Sequence, residues 1–277
     1  MEPSSDAGTT TPCSKSAPAP PSLCSTQAEA ASLLAHLGTG LDSYGPSQLH
    51  AIAQKCQTCR SDYVQQHFSQ HRPIRLLVIC EAPPWRPSSV PLERGNLDIY
   101  QPNDQEYNGN LLGAVLKGVA AARYETPPIY SKGHAASKAA ALAYLGRQGV
   151  MLVDVLPLAL PYSGKGTSVH GPLRDRPGYA LLAGLGFQDQ LRQLAHLLHP
   201  QVMVAFSLRK LLRALLGGAR EGTLKVGDIG LPVSEEESCF ANDAGQPDAR
   251  KLCTLLKSEP TTPLRIRHRA EHKRKRG

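Results

Sequence analysis

Two carboxylates in this 277-residue chain close apolar runs. Glu81 follows Arg75-Leu76-Leu77-Val78-Ile79-Cys80 and precedes Ala82-Pro83-Pro84, and Asp154 stands near the end of the run from Gly149 to Val155. A carboxylate at the end of a buried strand can hold and deprotonate a water, or accept hydrogen bonds from a ligand. It can equally cap a following helix or bind backbone amides. After Asp154 comes a long segment rich in Gly and Pro that carries Lys165, Ser168, His170, Arg174 and Arg176. These residue types suit contacts to phosphates, and the plain alternative is a solvated loop. Within it, Gly164-Lys165-Gly166-Thr167-Ser168 is not a phosphate-binding P-loop, because Ala159 occupies the place of that motif's first glycine. No Gly-x-Gly-x-x-Gly follows the first strand, so an NTPase is rejected and no dinucleotide fingerprint is found. Cys56 and Cys59 form a C-x-x-C, half of a metal site, whereas Cys239 and Cys253 lie far away in sequence on predicted core elements and read as buried thiols.

The elements that must position these residues alternate. Apolar runs at 75–80, 149–155 and 201–206 predict strands covered on both faces, and Ser238 to Asn242 predicts a weaker fourth. Helical spacing precedes the first strand at Leu49, Ile52, Ala53, Tyr63, Val64 and Phe68, predicting one or two helices. Further helices are predicted from about Asn108, from Ala135 to near Gly149, from Phe187 to before Pro200, from Ser207 as N-cap to the pair Gly217-Gly218, and over 246–257. Strand alternating with helix is the pattern of a parallel sheet sandwiched by helices, here an α/β three-layer α/β/α sandwich with a short, mainly parallel four-strand sheet. Ligands of such sheets bind beyond the carboxyl ends of the strands, where Glu81, Asp154, Ser207 and Asn242 fall.

Composition sets the frame around this domain. Residues 1–42 are rich in Ser, Thr, Pro and Ala and predict disorder; 43–258 hold the α/β domain; 259–277 form a basic tail. From Leu264 to Gly277 there are seven basic side chains against one acid, so most of the net charge of +8 sits in this tail. Such a run suits phosphate contacts or a nuclear address, and a solvated terminus is the plain alternative. The polar start lacks the features of a secretion signal, and no apolar run approaches the roughly 20 residues of a membrane span. Seven cysteines at irregular spacing then predict reduced thiols in the nucleus or cytosol, with an organelle still open.

The stretch Ile79-Cys80-Glu81-Ala82-Pro83-Pro84-Trp85 resembles the first motif of the uracil-DNA glycosylase superfamily, above all its iron–sulfur type, whose first strand ends in Gly-Glu-Ala-Pro-Gly. The resemblance extends from about Ser47 to Leu256, in order. The C-x-x-C lies upstream as in that type, and the Gly- and Leu-rich segment from Asn108 follows the first motif. Met151-Leu152-Val153-Asp154-Val155 stands where the family has an apolar strand ending Thr-Asn-Val. Leu191 to Leu216 matches its helix–strand–helix.

The resemblance implies a DNA-base glycosylase of base excision repair. Glu81 would orient or deprotonate the attacking water. Pro83 and Pro84 would press on the DNA backbone, Tyr107 (or else Tyr100) would stack on the flipped base, and Asp154 would read its edge. Asn242 would donate to the leaving base, and Lys165, Ser168, His170 and Arg174 would hold the nucleic-acid backbone. The departures from the family bear on activity. Pro84 replaces a glycine. Asp154 replaces the family's asparagine, and a carboxylate only accepts, which suits an exocyclic amine better than uracil O4. Asn242-Asp243 stands where the family has His-Pro-Ser or His-Pro-Ala. The third and fourth cluster cysteines are missing, so no metal or other cofactor is expected. The alternative from a different class is a glycosylase-fold domain without catalysis that binds nucleic acid or serves in an assembly. A nucleotide-binding α/β protein of another kind is a third reading, without a phosphate motif to support it.

Overall fold

The computed structural model describes residues 46–81, 99–100, 110–131, 134–155, 162–163, 167–168 and 187–258. The predicted disordered segment 1–42, the basic tail 259–277, Pro83, Pro84, Tyr107, Lys165, His170 and Arg174 lie outside these residues.

The chain enters as one helix, α1 (Pro46–His67), with proline at its first position, where the missing N–H costs no helical bond. The strand β1 (Ile74–Cys80) follows. All its residues except Arg75 are buried, as its near-continuous apolar sequence requires of a strand covered on both faces. The helices α2 (Asn110–Ala122) and α3 (Ala135–Arg147) lead to β2 (Val150–Asp154). Gly149 makes the turn into β2 with φ +76°, a left-handed conformation that glycine adopts without steric cost, with the Arg75 side chain close against it. Two short strands, β3 (Tyr162–Ser163) and β4 (Thr167–Ser168), pair antiparallel within the long segment after β2. The helix α4 (Gln188–Leu194) and a 3-10 turn (Ala195–Leu197) then feed β5 (Leu198–Phe206).

The sheet order is β2-β1-β5, with both pairs parallel. Three strands form it, not the four expected. The expected fourth, Ser238–Asn242, contributes one parallel bridge, Phe206 to Cys239, and one further bond from Phe240 N to Phe206 O at 3.1 Å. It stops there because the chain turns back at once, with Ala241 bridging Pro247. The third strand starts at Leu198 rather than at Gln201, and its pairing with β1 shifts between Ile74 and Leu76. Pro200 lies in the shifted stretch, and it has no N–H to give the ladder.

The helix α5 (Arg209–Leu215) follows β5. Its N-cap is Leu208 and not Ser207, and no side chain caps it. Its other end is as expected: Gly217 has φ +67°, Gly217 N donates to Ala214 O at 3.2 Å and Gly218 N to Arg213 O at 2.5 Å, the paired bonds of a Schellman cap. The hairpin β6 (Glu221–Val226) and β7 (Ile229–Ser234) was not anticipated. Its buried Leu224, Val226, Leu231 and Val233 alternate with exposed or half-buried residues. The short helix α6 (Glu235–Ser238) and α7 (Ala249–Lys257) complete the described chain. The helix α7 is capped by Asp248, whose carboxylate accepts from Arg250 N and Lys251 N.

The helices α2 and α7 pack so closely that a Cβ on Gly118 would lie 2.9 Å from both Ala249 O and Leu252 Cβ. One apolar core joins the sheet, α1 to α5, the hairpin and α7. Among the described residues no helix is long and apolar enough to cross a membrane.

Candidate active site at the carboxyl edge of the sheet

Register decides what the strand ends bring together. Cys80 pairs with Asp154, and Ile79 with Phe206, so Ser207 stands level with Cys80. Ser207 N donates to Ile79 O at 3.0 Å, and Val155 N to Cys80 O at 2.9 Å, so the ladders run to the edge. Asp154, Cys80 and Ser207 therefore form a row across three adjacent strands, on one side of the pleat. Cys80 and Ser207 are buried and Asp154 is half-buried. Burial pushes the Cys80 thiol well above its ordinary value, the Asp154 charge pushes it further, and a hydrogen bond with Ser207 offsets part of this. A thiol so held is a packing group and not a nucleophile.

Glu81 comes one residue after this row. Its carboxylate, with a side chain 17% exposed, pairs with Lys210 Nζ at 4.0 Å. Lys210 lies in the first turn of α5, which the connection after β5 brings to the same edge. Lys210 is not among the expected site residues. Its position gave the signal, since basic residues that open a helix directly after a parallel strand stand beside the strand ends.

Asn242 ends the fourth parallel segment. Its Oδ1 accepts from Gln246 N at 2.8 Å, its own N donates to Gln246 O at 2.8 Å, and Gly245 N donates to its carbonyl at 3.0 Å. The side-chain oxygen is thus used to close a tight loop, and the amide nitrogen Nδ2 is the group left to donate to a ligand. Neighbouring Asp243 is 96% exposed and pairs at long range with Lys251 (3.5 Å) and Arg209 (3.8 Å).

Of the expected site residues, Glu81, Asp154 and Asn242 are described and share the carboxyl edge, and the backbone of Ser168 belongs to the β3–β4 pair. Pro83, Tyr107, Lys165, His170 and Arg174 are outside the described residues. Tyr100, the second choice for a base platform, is buried in the core. Its hydroxyl accepts from Leu152 N at 2.8 Å and donates to Leu152 O at 2.9 Å, and its ring lies 4.4 Å from that of Tyr63. It is bound to β2 and does not face a ligand.

An open cleft of about 1140 Å³ lies beyond β5, lined among others by Arg209, Arg220, Glu235, Cys239, Arg250 and Lys251. Neither Glu81, Asp154 nor Asn242 lines it, so the first turn of α5 separates the cleft, at Arg209, from the pair made by Lys210. Cys239 has a thiol pushed up to about 12, first by burial and then by the Glu235 charge.

Cys56 is buried and Cys59 half-buried, and both stand on α1 against the core. Among the described residues no three His, Cys, Asp or Glu side chains come together as a metal-holding group, and two thiols do not make the four-thiolate set of an iron–sulfur cluster. No protein-family model, characterised protein or solved structure matches the chain.

Proposed function

We propose that this protein acts on nucleic acid as a divergent base-excising glycosylase of the uracil-DNA glycosylase type, hydrolysing the N-glycosidic bond of a damaged or deaminated base. The observation that carries the reading is the placement of Glu81 directly after the Cys80–Asp154 register pair, at the carboxyl ends of neighbouring parallel strands. In such sheets this edge is where ligands bind.

The chemistry needs no metal. Glu81 takes a proton from water, the water oxygen bonds to the sugar C1′, and the C–N bond breaks with its electron pair leaving on the base. Asn242 Nδ2 donates to the leaving base. Asp154 accepts from its edge, which favours a base with an exocyclic amine. The extruded base needs a platform, assigned to Tyr107, and Pro83 stiffens the loop against the backbone. Lys165, Ser168, His170 and Arg174 hold phosphates, and the tail at 265–276 adds non-specific contacts and a nuclear address.

Incubation with single- and double-stranded DNA carrying uracil, hypoxanthine or xanthine, followed by alkaline cleavage, tests this. Wild type should give abasic product, and Glu81→Ala should lose on the order of 10²–10⁴-fold in rate. No product from the wild type on any substrate would sink the catalytic reading.

One observation favours a second reading, a glycosylase fold that binds nucleic acid without catalysis. The Lys210 ammonium stands 4.0 Å from the Glu81 carboxylate, a placement suited to a structural ion pair. In that case Glu81→Ala would change stability and leave nucleic-acid affinity unaltered.

A further inference from the structure

The connection after α2 holds a strained residue. Tyr124 has φ +58°, the one positive φ of a non-glycine residue among those described. It stands where α2 ends in a Schellman cap, with Glu125 N donating to Ala120 O at 2.9 Å and Tyr124 N to Ala121 O at 3.4 Å. The same cap on α5 uses Gly217 at the equivalent position. A side chain in this conformation meets a steric penalty that glycine avoids. Tyr124 gains no burial in return, because it is 86% exposed. Ile129, on the same connection, is also 86% exposed, and these two are the exposed large apolar side chains of the described chain. An unfavourable backbone conformation that keeps an aromatic ring in solvent points to a function for the ring.

The surroundings state the ligand's charge. The helices α2 and α7 run side by side in the same direction, with Gly118 against Ala249 and Leu252 and Tyr124 beside Lys257. Neither helix contains an acidic residue; of the acids that flank them, Glu125 accepts from the Tyr144 hydroxyl and Gln148 Nε2, and Asp248 caps α7. Their charged residues are Lys117 on α2 and Arg250, Lys251 and Lys257 on α7, with Arg123 following α2. Lys117, Arg123, Arg250 and Lys257 are exposed. Lys257 Nζ sits 4.2 Å from the centre of the Tyr124 ring, so a cation holds one face of the ring. Arg250 precedes Lys257 by seven residues, two turns of α7, and Lys117 precedes Arg123 along α2 and its cap, so the cations fall in two tiers along the helix pair.

We infer that the paired helices α2 and α7 form a binding track for single-stranded nucleic acid, with a base stacking on Tyr124 and phosphates held by Lys117, Arg123, Arg250 and Lys257. An exposed ring within a cationic strip is the arrangement that binds single strands without reading sequence. A duplex keeps its bases stacked on each other and has none to offer Tyr124. The inference rests on the nucleic-acid part of the proposed function and adds the strand form of the substrate. The track ends at the far end of α2 from the β1–α2 connection, roughly 20 Å along the helix axis. Tyr124 therefore contributes to binding and not to bond cleavage.

The test is fluorescence anisotropy of a labelled oligothymidylate with the full chain, run beside a blunt duplex and beside the abasic-product assay. Tyr124→Gly should raise the melting midpoint by a few degrees, since it relieves strain, while weakening single-strand binding about 5- to 150-fold, the loss expected of one stacked base. Tyr124→Trp should restore the affinity. Lys117→Gln combined with Lys257→Gln should lower the salt slope by roughly 0.7 per lost contact. Unchanged single-strand affinity in Tyr124→Gly, or equal affinity of wild type for the duplex, would overturn the track even if abasic product forms. A wild type that binds the single strand, loses it with Tyr124→Gly and makes no abasic product would uphold the track and remove the catalytic reading.

Discussion

The two edges of the sheet are finished in opposite ways. Along β2 the outward backbone groups are met by tyrosine hydroxyls. Tyr63 donates to Val150 O at 3.1 Å, and Tyr100 donates to Leu152 O at 2.9 Å while accepting from Leu152 N at 2.8 Å. The two rings pack on each other and are buried, so this edge is dry. Tyr100 does for Leu152 what a neighbouring strand would do, and so closes the edge to further pairing. Beyond β5 the sheet continues for one bridge and then gives way to a charged cleft. There Glu235 and Arg213 form a two-pronged pair at 2.7 Å in contact with solvent. The dry edge depends on bonds that water cannot replace, whereas the wet edge depends on bonds that water and salt can.

The sharpest way to break this contrast is to remove Tyr100. Tyr100→Ala should cost about 3–5 kcal/mol, as for other large buried rings. Tyr100→Phe isolates the hydroxyl. It keeps the ring but leaves Leu152 N and O buried without that partner, at about 1–3 kcal/mol. Urea unfolding measures both. If Tyr100→Phe were neutral, the hydroxyl would not be what seals β2. Tyr63 is buried and its hydroxyl is pushed above the usual tyrosine range, which makes it a second witness: Tyr63→Phe should behave in the same direction.

The corresponding cut at the wet edge is Arg213→Ala. The two 2.7 Å bonds to Glu235 hold the Arg213 guanidinium above its ordinary value and the Glu235 carboxyl below the carboxylate range. Both partners nevertheless reach water, which screens them and supplies substitutes. The expected loss is smaller than for Tyr100→Phe and should fade as salt is raised, whereas the Tyr100→Phe loss should not. A loss in Arg213→Ala that survives high salt would show that the β5 edge does not depend on bonds that water and salt can replace.

The sequence displayed the sheet's apolar strands more readily than its edges. The runs ending at Cys80 and Asp154 were legible because a strand buried on both faces must be almost wholly apolar. The helices α2, α3 and α7 were legible from spacing, and the ends of α3 and α5 from Gly149 and the pair Gly217-Gly218. The hairpin β6–β7 was also written in the sequence, in buried Leu224 and Val226, buried Leu231 and Val233, and Gly227-Asp228 between them with Gly227 at φ +62°. Ser207 illustrates what was not legible. A serine before a helical pattern reads as a cap, but strand register placed it beside Cys80 inside the sheet. Tyr100 is the other case, because its partner is Leu152, and nothing local to either residue announces a bond across that separation. The same limit applies to the candidate site. Glu81 could be placed at a strand end from pattern alone, whereas the Lys210 ammonium beside it and the use of Asn242 Oδ1 in a turn follow only from the tertiary structure.

The smallest effect expected compares the two sides through their histidines. His67 lies on the β2 side, its ring against Gly146 and 4.7 Å from that of Tyr63. Burial lowers its pKa, and Arg72 and Arg147 lower it further. His199 lies in β5, where Gln201 N donates to its Nδ1 at 3.1 Å, and burial followed by the Arg75 charge lowers its pKa. In both cases the folded pKa is below the unfolded value of about 6.5, so over the interval between them the unfolded chain binds more protons. Stability should therefore be level above this interval and decline as pH falls through 6.5 toward the folded values. Glu235, a carboxylate with a lowered pKa, loses its contribution only in the more acidic range, so the decline just below pH 6.5 reports the histidines. Melting midpoints from pH 8 to 5 for wild type, His67→Gln and His199→Gln measure it. Each variant should flatten the slope, because burial first and neighbouring guanidinium groups second hold both rings below the usual histidine range. A wild-type slope preserved in both variants would remove the histidines from the account of either edge.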